Sequence, residues 1–177
     1  MGLYPQLLED REKFKAQHGR SRFTARFAGL LTLLRRDIKM LLRIEYAGAQ
    51  QLSGQENVYA STIFVGNNTL QLDNVGLAPE AQSVQNGQLA IVALPPMSAF
   101  ERLTIAFRGM LGQLGEAPNV THFACNQLLI EPLSKRKAPN LKVAMDGEVS
   151  RMCPPLVFRV GTRPLRLVVS PSKGDKD

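Results

Sequence analysis

The run Val58-Tyr59-Ala60-Ser61-Thr62-Ile63-Phe64-Val65 decides the fold class of this chain, because the pattern of apolar residues changes there. Its β-branched and aromatic side chains favour a strand, and similar short runs follow it with turn-forming residues between them. These runs are Leu70–Leu72, Leu89–Leu94, Val120–Ile130, Leu141–Met145, Val149–Met152, Leu156–Val160 and Leu165–Val169. We therefore predict a mainly β protein whose last strands form an antiparallel meander.

Helical patterns lie before these strands. The segment Tyr4–Gln17 is rich in charge, and Gly19 and Ser21 separate it from a second segment, Thr24–Arg43. In this second segment apolar residues recur at steps of three and four with basic residues mostly between them, which predicts an amphipathic helix. The apolar residues are Phe27, Leu30, Leu31, Leu34, Ile38, Leu41 and Leu42, and the basic ones are Arg26, Arg35, Arg36, Lys39 and Arg43. Gly48, Ser53 and Gly54 then predict a loop.

One further helix interrupts the strands. After Pro95-Pro96, Ser98 and Glu101 have the spacing of a capping box, and Gly115 marks the end of the helical segment. The pattern predicts a helix over 98–114, one face of which is lined by Phe100, Leu103, Phe107, Met110, Leu111 and Leu114. We expect a single domain with a helical entry over 1–47, a β region over 57–169 and a polar tail over 170–177.

The composition limits the class of protein. A chain of 177 residues and 19.5 kDa is long enough for one packed domain. Its net charge of +7 and pI near 9.8 favour an anionic partner such as a phosphate group or a lipid surface. Residues 51–100 contain neither Lys nor Arg, so the basic character lies towards the two ends. No apolar run reaches the roughly 20 residues of a spanning helix, so we expect a soluble protein. The two cysteines indicate reduced thiols in a cytoplasm, and a peripheral position at the membrane is left open.

Common catalytic and nucleotide-binding patterns do not occur in the sequence. Cys125 and Cys153 are too few for a disulfide framework or a four-cysteine zinc site, and we expect both to be core thiols. His18 and His122 lie far apart, and His122 is expected to be a partly buried ring with one hydrogen-bond partner. The sequence has no glycine-rich phosphate loop. With 6% aromatic residues and no Trp, it gives no sign of a nucleic-acid partner.

The most informative short motif is Lys142-Val143-Ala144-Met145-Asp146-Gly147-Glu148. Asp-Gly between two β-runs is a strong hairpin signal, because a type I′ turn requires positive φ at both central residues. In the simpler interpretation Glu148 is only a solvated flank of that hairpin. In the functional interpretation Asp146 and Glu148 are two carboxylates on a rigid hairpin, able to receive a proton from a hydroxyl or to hold Mg²⁺ near phosphate.

This motif, in its context, resembles the C-terminal end of the lipid kinase family related to diacylglycerol and sphingosine kinases, including the bacterial YegS-like members. There, an x-Asp-Gly-Glu hairpin precedes a final pair of strands, here similar to 155–160 and 165–169. Upstream, Ile63-Phe64-Val65-Gly66-Asn67 is similar to the V-x-N strand end of the family. The segments Leu77-Ala78-Pro79-Glu80-Ala81 and Asn86-Gly87-Gln88-Leu89 are similar to its A-P-x-A and D-G-x-L elements.

The chain also departs from this family. The glycine-rich Gly-Gly-Asp-Gly-Thr type of nucleotide loop does not occur, so the chain resembles the second domain of such a kinase only. Relatives hold Mg²⁺ with an aspartate before the glycine of the D-G-x-L element. The positions that match the ligands are Ser83, Asn86 and Gln88, and the replacement of the aspartate by Asn86 should weaken a hard-cation site considerably.

The resemblance implies a β-sandwich over 57–169 and transfer of a phosphoryl group from ATP to the hydroxyl of a membrane lipid such as diacylglycerol. By this resemblance, Asp146 and Glu148 are the candidates for accepting or orienting the hydroxyl proton. The resemblance also implies ATP and Mg²⁺ as the cofactors of the complete enzyme. The implied partners are the lipid and a nucleotide-binding domain in cis or in trans, and the oligomeric state is left open. The rival is a non-catalytic lipid- or partner-binding module, or a degenerate kinase fragment. The basic helix 24–43 would attract anionic lipid at the membrane surface, although a core-packing helix with a solvated basic face is the favoured interpretation.

Overall fold

The computed structural model describes residues 1, 2, 5, 8, 9, 39–48, 53–133 and 140–161. The strands are β1 (Met40–Ala47), β2 (Ser53–Ala60), β3 (Thr62–Gly66), β4 (Leu89–Leu94), β5 (Thr121–Cys125), β6 (Gln127–Pro132), β7 (Leu141–Met145), β8 (Glu148–Met152) and β9 (Leu156–Arg159). Helices α1 (Thr69–Asn74), α2 (Ala78–Gln85) and α3 (Ala99–Met110) lie among these strands, and a 3-10 turn spans Leu114–Glu116. Residues 5, 8 and 9 are helical as well. The fold is mainly β with a few helices, as predicted.

The described strands form three antiparallel sheets. One has the order β2-β1-β6-β9, the second has the order β3-β4-β5, and β7 and β8 form a two-stranded sheet of their own. Apolar residues of all three sheets share one core, which contains Leu42, Ile44, Ile63, Leu89, Ile91, Ala93, Cys125, Leu128, Ile130, Leu141, Val143 and Leu156. The four-stranded and three-stranded sheets therefore pack on each other as the two layers of a sandwich.

Strand β4 is buried on both of its faces. Leu89, Ile91 and Ala93 belong to the core between the sheets, whereas Ala90 and Val92 belong to a second core on the opposite side. The second core also contains Leu72, Leu77, Ala81, Ala117 and Val120, which come from the helices and their connections. The continuous apolar run of β4 thus fits a central strand with side chains packed above and below it.

The chain crosses between the two layers at single residues. Ser61 separates β2 from β3, and Asn126 separates β5 from β6, so each of the two predicted runs, Val58–Val65 and Val120–Ile130, is divided between two sheets. The Ser61 hydroxyl donates to the carbonyl of Pro95 at 2.9 Å, and the Asn126 N–H donates to the carbonyl of Ala47 at 2.7 Å. These hydrogen bonds satisfy polar groups where the ladders are interrupted.

Two predicted elements have a different structure. Residues 40–43, predicted as the end of the helix over Thr24–Arg43, begin strand β1, so the helical entry over 1–47 is wrong from Met40 onward. Leu42 and Ile44 alternate with outward residues there, and pairing with both β2 and β6 overrides the helical spacing. Leu70–Leu72, predicted as a strand, lies in helix α1, because the Asn68 side chain caps the helix by accepting from the N–H of Gln71.

Other predictions had mixed outcomes. The capping box of Ser98 and Glu101 is present, and the helix after it ends at Met110 rather than residue 114. Ser53 and Gly54 belong to β2 and not to the predicted loop. The described strands after β5 are not a simple meander, because β7 pairs with β8 but β9 pairs with β6. In the predicted helical segment Tyr4–Gln17, residues 5, 8 and 9 are described and are helical. The predictions for 10–38 and 162–177, including the strand Leu165–Val169 and the polar tail, lie outside the described residues.

The turn between α1 and α2 packs backbone to backbone against the turn after α3. Gly76 has φ +83, and a Cβ atom there would collide with the carbonyl of Gly112. The Leu114 N–H donates to the carbonyl of Val75 at 2.9 Å in the same contact. The two helical connections can approach this closely only because glycine has no side chain.

We expect Gly76→Ala to lower the free energy of unfolding by about 3 kcal/mol, because it combines backbone strain with a backbone clash. Urea denaturation followed by circular dichroism measures the change. Gly87 has a similar φ of +82 with open space around it, so Gly87→Ala isolates the strain and should cost about 1 kcal/mol. Gly109→Ala, in α3 with open space, should be neutral or stabilising by up to about 1 kcal/mol. Equal losses at Gly76 and Gly87 would show that the close packing contributes nothing.

Candidate functional site

The Asp-Gly-Glu motif forms the tip of the hairpin β7–β8. Asp146 has φ 52 and Gly147 has φ 87, which are the positive values that a type I′ turn requires. The base of the hairpin is fixed, because Leu141 and Val143 are buried in the main core. The Lys142 ammonium also contacts both carboxylate oxygens of Glu9 at 2.8 Å. A rigid base therefore carries an exposed tip.

The register of this hairpin separates the two carboxylates. Glu148 pairs with Met145, and Val143 pairs with Ser150, so these residues share the face on which Leu141 and Val143 enter the core. Asp146 occupies the turn itself. Both carboxylates are solvent-exposed. Glu148 is thus the carboxylate on the side of the hairpin that faces the body of the protein, whereas the left-handed conformation of Asp146 is a requirement of the turn.

The predicted metal ligands lie at the end of helix α2. The Ser83 hydroxyl donates to the carbonyl of Pro79 at 3.0 Å, Asn86 is the exposed C-cap, and the Gln88 amide donates to Asn126 Oδ1 at 3.2 Å. Among the described residues, no group of three or more His, Cys, Asp or Glu side chains is arranged to hold a metal. This neutral donor set, with two members engaged elsewhere, does not fit Mg²⁺, which prefers carboxylate and water oxygens. Their assignment as ligands stays a prediction.

A partly buried histidine–carboxylate pair holds α2 against the three-stranded sheet. His122 Nδ1 lies 2.7 Å from Glu80 Oε1, and the Glu80 side chain is 8% exposed against 28% for His122. The second oxygen, Glu80 Oε2, is buried and has no hydrogen-bond partner among the described residues. The prediction of a partly buried His122 with one partner is confirmed. Glu80 was missed by sequence reasoning, because a glutamate in the first turn of a helix is usually solvated and its partner is 42 positions away.

The two cysteines differ in environment. Cys125 is buried in the main core, and burial raises the pKa of its thiol to about 11. The prediction of a core thiol is confirmed there. Cys153 is exposed, and its thiol contacts Asn140 Oδ1 at 3.2 Å, so the same prediction is wrong for Cys153. The Cys125 thiol stays protonated at neutral pH and is therefore a weak nucleophile.

An apolar cavity of about 220 Å³ lies between helix α3 and the strands β3 and β4. Its lining comes from Ser61, Thr62, Phe64, Val92, Leu94, Met97, Arg102, Ile105, Ala106, Gly109 and Leu114. Arg102 is buried and donates from Nη1 to the carbonyl of Met97 at 2.8 Å, so its charged end is held by backbone. An apolar cavity of roughly 150 Å³ is enough to take up benzene in another protein, so this one can hold a short segment of hydrocarbon.

No protein-family model matches the chain, and no curated protein is similar to it at a significant level. Among the solved structures that match is a protein described as a putative diacylglycerol kinase from Bacillus anthracis str. Sterne. The two share 16% sequence identity and superpose with a TM-score of 0.42, over 84% of this chain and 43% of that one. The present chain therefore spans less than half the length of that protein. This structural similarity is distant.

In the described residues, none of the helices combines the length and the hydrophobicity needed to span a membrane.

We expect His122→Phe to lower the free energy of unfolding by about 3 kcal/mol, because it leaves the buried Glu80 carboxylate without its described hydrogen-bond partner. The double variant Glu80→Leu with His122→Phe removes both polar groups and should lose less than about 1.5 kcal/mol. Urea denaturation of both variants beside the wild type gives the comparison. If the double variant has a lower free energy of unfolding than the single variant, the interaction between Glu80 and His122 stabilises the fold by more than the desolvation of the two groups costs.

We expect Asn86→Asp to create a Mg²⁺-dependent rise in melting temperature of about 2–4 °C at millimolar Mg²⁺, because a carboxylate replaces a neutral ligand. The wild type should show no such rise. Gln85→Asp is the matched control, since it adds the same charge at the neighbouring exposed position. Differential scanning fluorimetry with and without Mg²⁺ measures the shifts. Identical shifts in both variants would mean that the segment around Asn86 is not a cation site.

Proposed function

We propose that this chain is the lipid-binding domain of an ATP-dependent lipid kinase that phosphorylates the hydroxyl of a diacylglycerol-like lipid. The observation that carries the proposal is the hairpin 141–152, which presents the Asp-Gly-Glu motif at an exposed tip above a base that is fixed in the core. Hydroxyl phosphorylation needs an acceptor oxygen that is positioned and a group that takes its proton. A carboxylate at such a tip is accessible to a second domain and to a lipid headgroup.

Glu148 is the favoured proton acceptor of the two carboxylates. It lies on the hairpin face shared with Val143 and Met145, towards the body of the domain, whereas the turn conformation accounts for Asp146. The Asp146 side chain would then support the turn, as the first central residue of a type I′ geometry. This assignment gives the two carboxylates different roles that mutation can separate.

The apolar cavity beneath α3 supports a lipid as the acceptor. Its walls are almost wholly hydrocarbon from β3, β4 and α3, and Phe64, which is 39% exposed, contributes to its lining. A segment of acyl chain would gain about 0.8 kcal/mol for each methylene that it buries there. The cavity therefore favours an amphiphilic acceptor over a small polar one.

The phosphoryl donor must be bound by another domain, in cis or in trans. The 177-residue sequence has no glycine-rich phosphate loop, and the donor set of Ser83, Asn86 and Gln88 does not fit Mg²⁺. ATP with its metal would supply the activated phosphoryl group and offset its charge when bound by that domain. The residues of this chain would orient the lipid and hold its hydroxyl proton at Glu148.

A second candidate is a lipid-binding module without turnover. The apolar cavity supports this second candidate as well as the first, because lipid binding there needs neither a nucleotide nor a base. The two candidates differ in one respect, namely whether the hairpin carboxylates affect a reaction rate. Supplying a nucleotide-binding domain of the lipid kinase family in trans, and measuring phosphate transfer to a diacylglycerol, distinguishes them.

In such an assembly we expect Glu148→Gln to lower kcat by about 10²–10⁴-fold, because the amide keeps the hairpin but cannot take the proton. Asp146→Asn should change kcat less than about threefold, since Asn-Gly favours the same turn. Melting temperatures should stay within about 2 °C, as for exposed substitutions. Full activity of Glu148→Gln would remove this residue from the mechanism, and no transfer by the wild-type assembly would favour the non-catalytic module.

A further inference from the structure

Helix α3 carries its large apolar side chains on the outside. Phe100 is 79% exposed, Phe107 is 61% exposed, Met110 is 84% exposed, and Leu111, the C-cap, is 56% exposed. At 100° per residue these positions lie on one face of the helix. The opposite face, with Arg102, Ile105 and Gly109, lies over the cavity. This amphipathic helix therefore has its most apolar face turned away from the described core, which is uncommon for a helix of a globular protein.

The outward face of α3, defined by Phe100, Phe107, Met110 and Leu111, contains no charged residue. The charged residues of the helix lie beside or behind this face. The Glu101 carboxylate accepts the N–H of Ser98 at 2.8 Å in the capping box, and this hydrogen-bonded contact lowers its pKa. Arg102 is buried, and the Arg108 guanidinium reaches the carbonyl of Glu116 at 3.4 Å. Nothing on this face favours a strongly polar partner.

We propose that the outward face of α3 docks on a lipid bilayer, with the helix lying in the plane of the interface. The inference takes its choice of partner from the proposed lipid function, but it concerns a surface that this function does not use. A helix with one apolar face buries that face about 5–10 Å deep at the boundary between headgroups and acyl chains. The net charge of +7 complements an anionic membrane surface.

The area of this face favours a bilayer over a second copy of the chain. Four side chains of this size, exposed by half or more, present roughly 500 Å². A stable protein interface needs about 800 Å² from each partner, together with matched shape, whereas a convex helix enters lipid without any complementary surface. The cavity lies on the other side of the same helix, so docking through α3 would place the helix itself between the bilayer and the cavity.

Vesicle flotation of the full chain tests the inference without any phosphoryl transfer. We expect the wild type to bind vesicles of pure phosphatidylcholine in 0.5 M NaCl, because apolar insertion is not screened by salt, and to bind more strongly when phosphatidylserine is added in low salt. The double variant Phe107→Glu with Met110→Glu should reduce binding to phosphatidylcholine at least about tenfold. Val157→Glu and Tyr59→Glu, at apolar positions that are each 52% exposed on the four-stranded sheet, should leave binding unchanged.

Three results would overturn the inference. The first is equal vesicle binding by the wild type and the Phe107/Met110 variant with unchanged melting temperatures. The second is binding that requires anionic lipid and disappears in 0.5 M NaCl. The third is a concentration-dependent dimer in sedimentation experiments that the same double variant abolishes, which would assign the face to a second copy. Transfer to a short-chain, water-soluble diacylglycerol by the assembly with a nucleotide domain tests the proposed function separately, since that reaction needs no vesicle.

Discussion

The burial of strand β4 on both faces is the constraint on which the rest of the structure depends. Its odd-numbered side chains, Leu89, Ile91 and Ala93, fill the core between the two sheets, and Ala90 and Val92 fill the core beneath the helices. Both faces of such a strand must be covered by packed layers, because an exposed face would leave apolar surface in water. Its two edges must be paired with other strands, because buried backbone polar groups need hydrogen-bond partners. The neighbours β3 and β5, the four-stranded sheet and helices α1 and α2 meet these needs. The alanines of β4 allow those layers to approach closely.

The same arrangement explains how the candidate sites are positioned. The hairpin β7–β8, which is a sheet of its own, carries Glu148 at its exposed tip on the side that faces the core. The layer β3-β4-β5 carries the cavity, with α3 lying across β3 and β4. The Glu80–His122 pair joins α2 to β5 within this second layer. A buried carboxylate with one unsatisfied oxygen is costly, so the pair specifies the position of α2 more than it stabilises the fold.

Local chemistry made part of the site predictable. Asp146-Gly147 specifies its own turn, since both residues have the positive φ that the hairpin needs, and Ser98 with Glu101 specifies the start of α3 within four residues. The apolar face of α3 was also evident from spacing, but spacing cannot tell whether such a face enters the core or the solvent. The pairing of Glu80 with His122 spans 42 positions, and the cavity is formed by residues from 61 to 114, so no local pattern signals either of them.

The sequence by itself determined the fold class, the capped helix and the hairpin, because β-propensity, capping and turn geometry act over a few neighbouring residues. Tertiary structure decided which strands pair and which segments change state. Residues 40–43 follow a helical spacing in the sequence, yet they form a strand because β2 and β6 offer hydrogen bonds on both edges. The runs around Ser61 and Asn126 each look continuous, yet each is divided between two sheets, because the core between those sheets can be closed only if the chain crosses from one layer to the other.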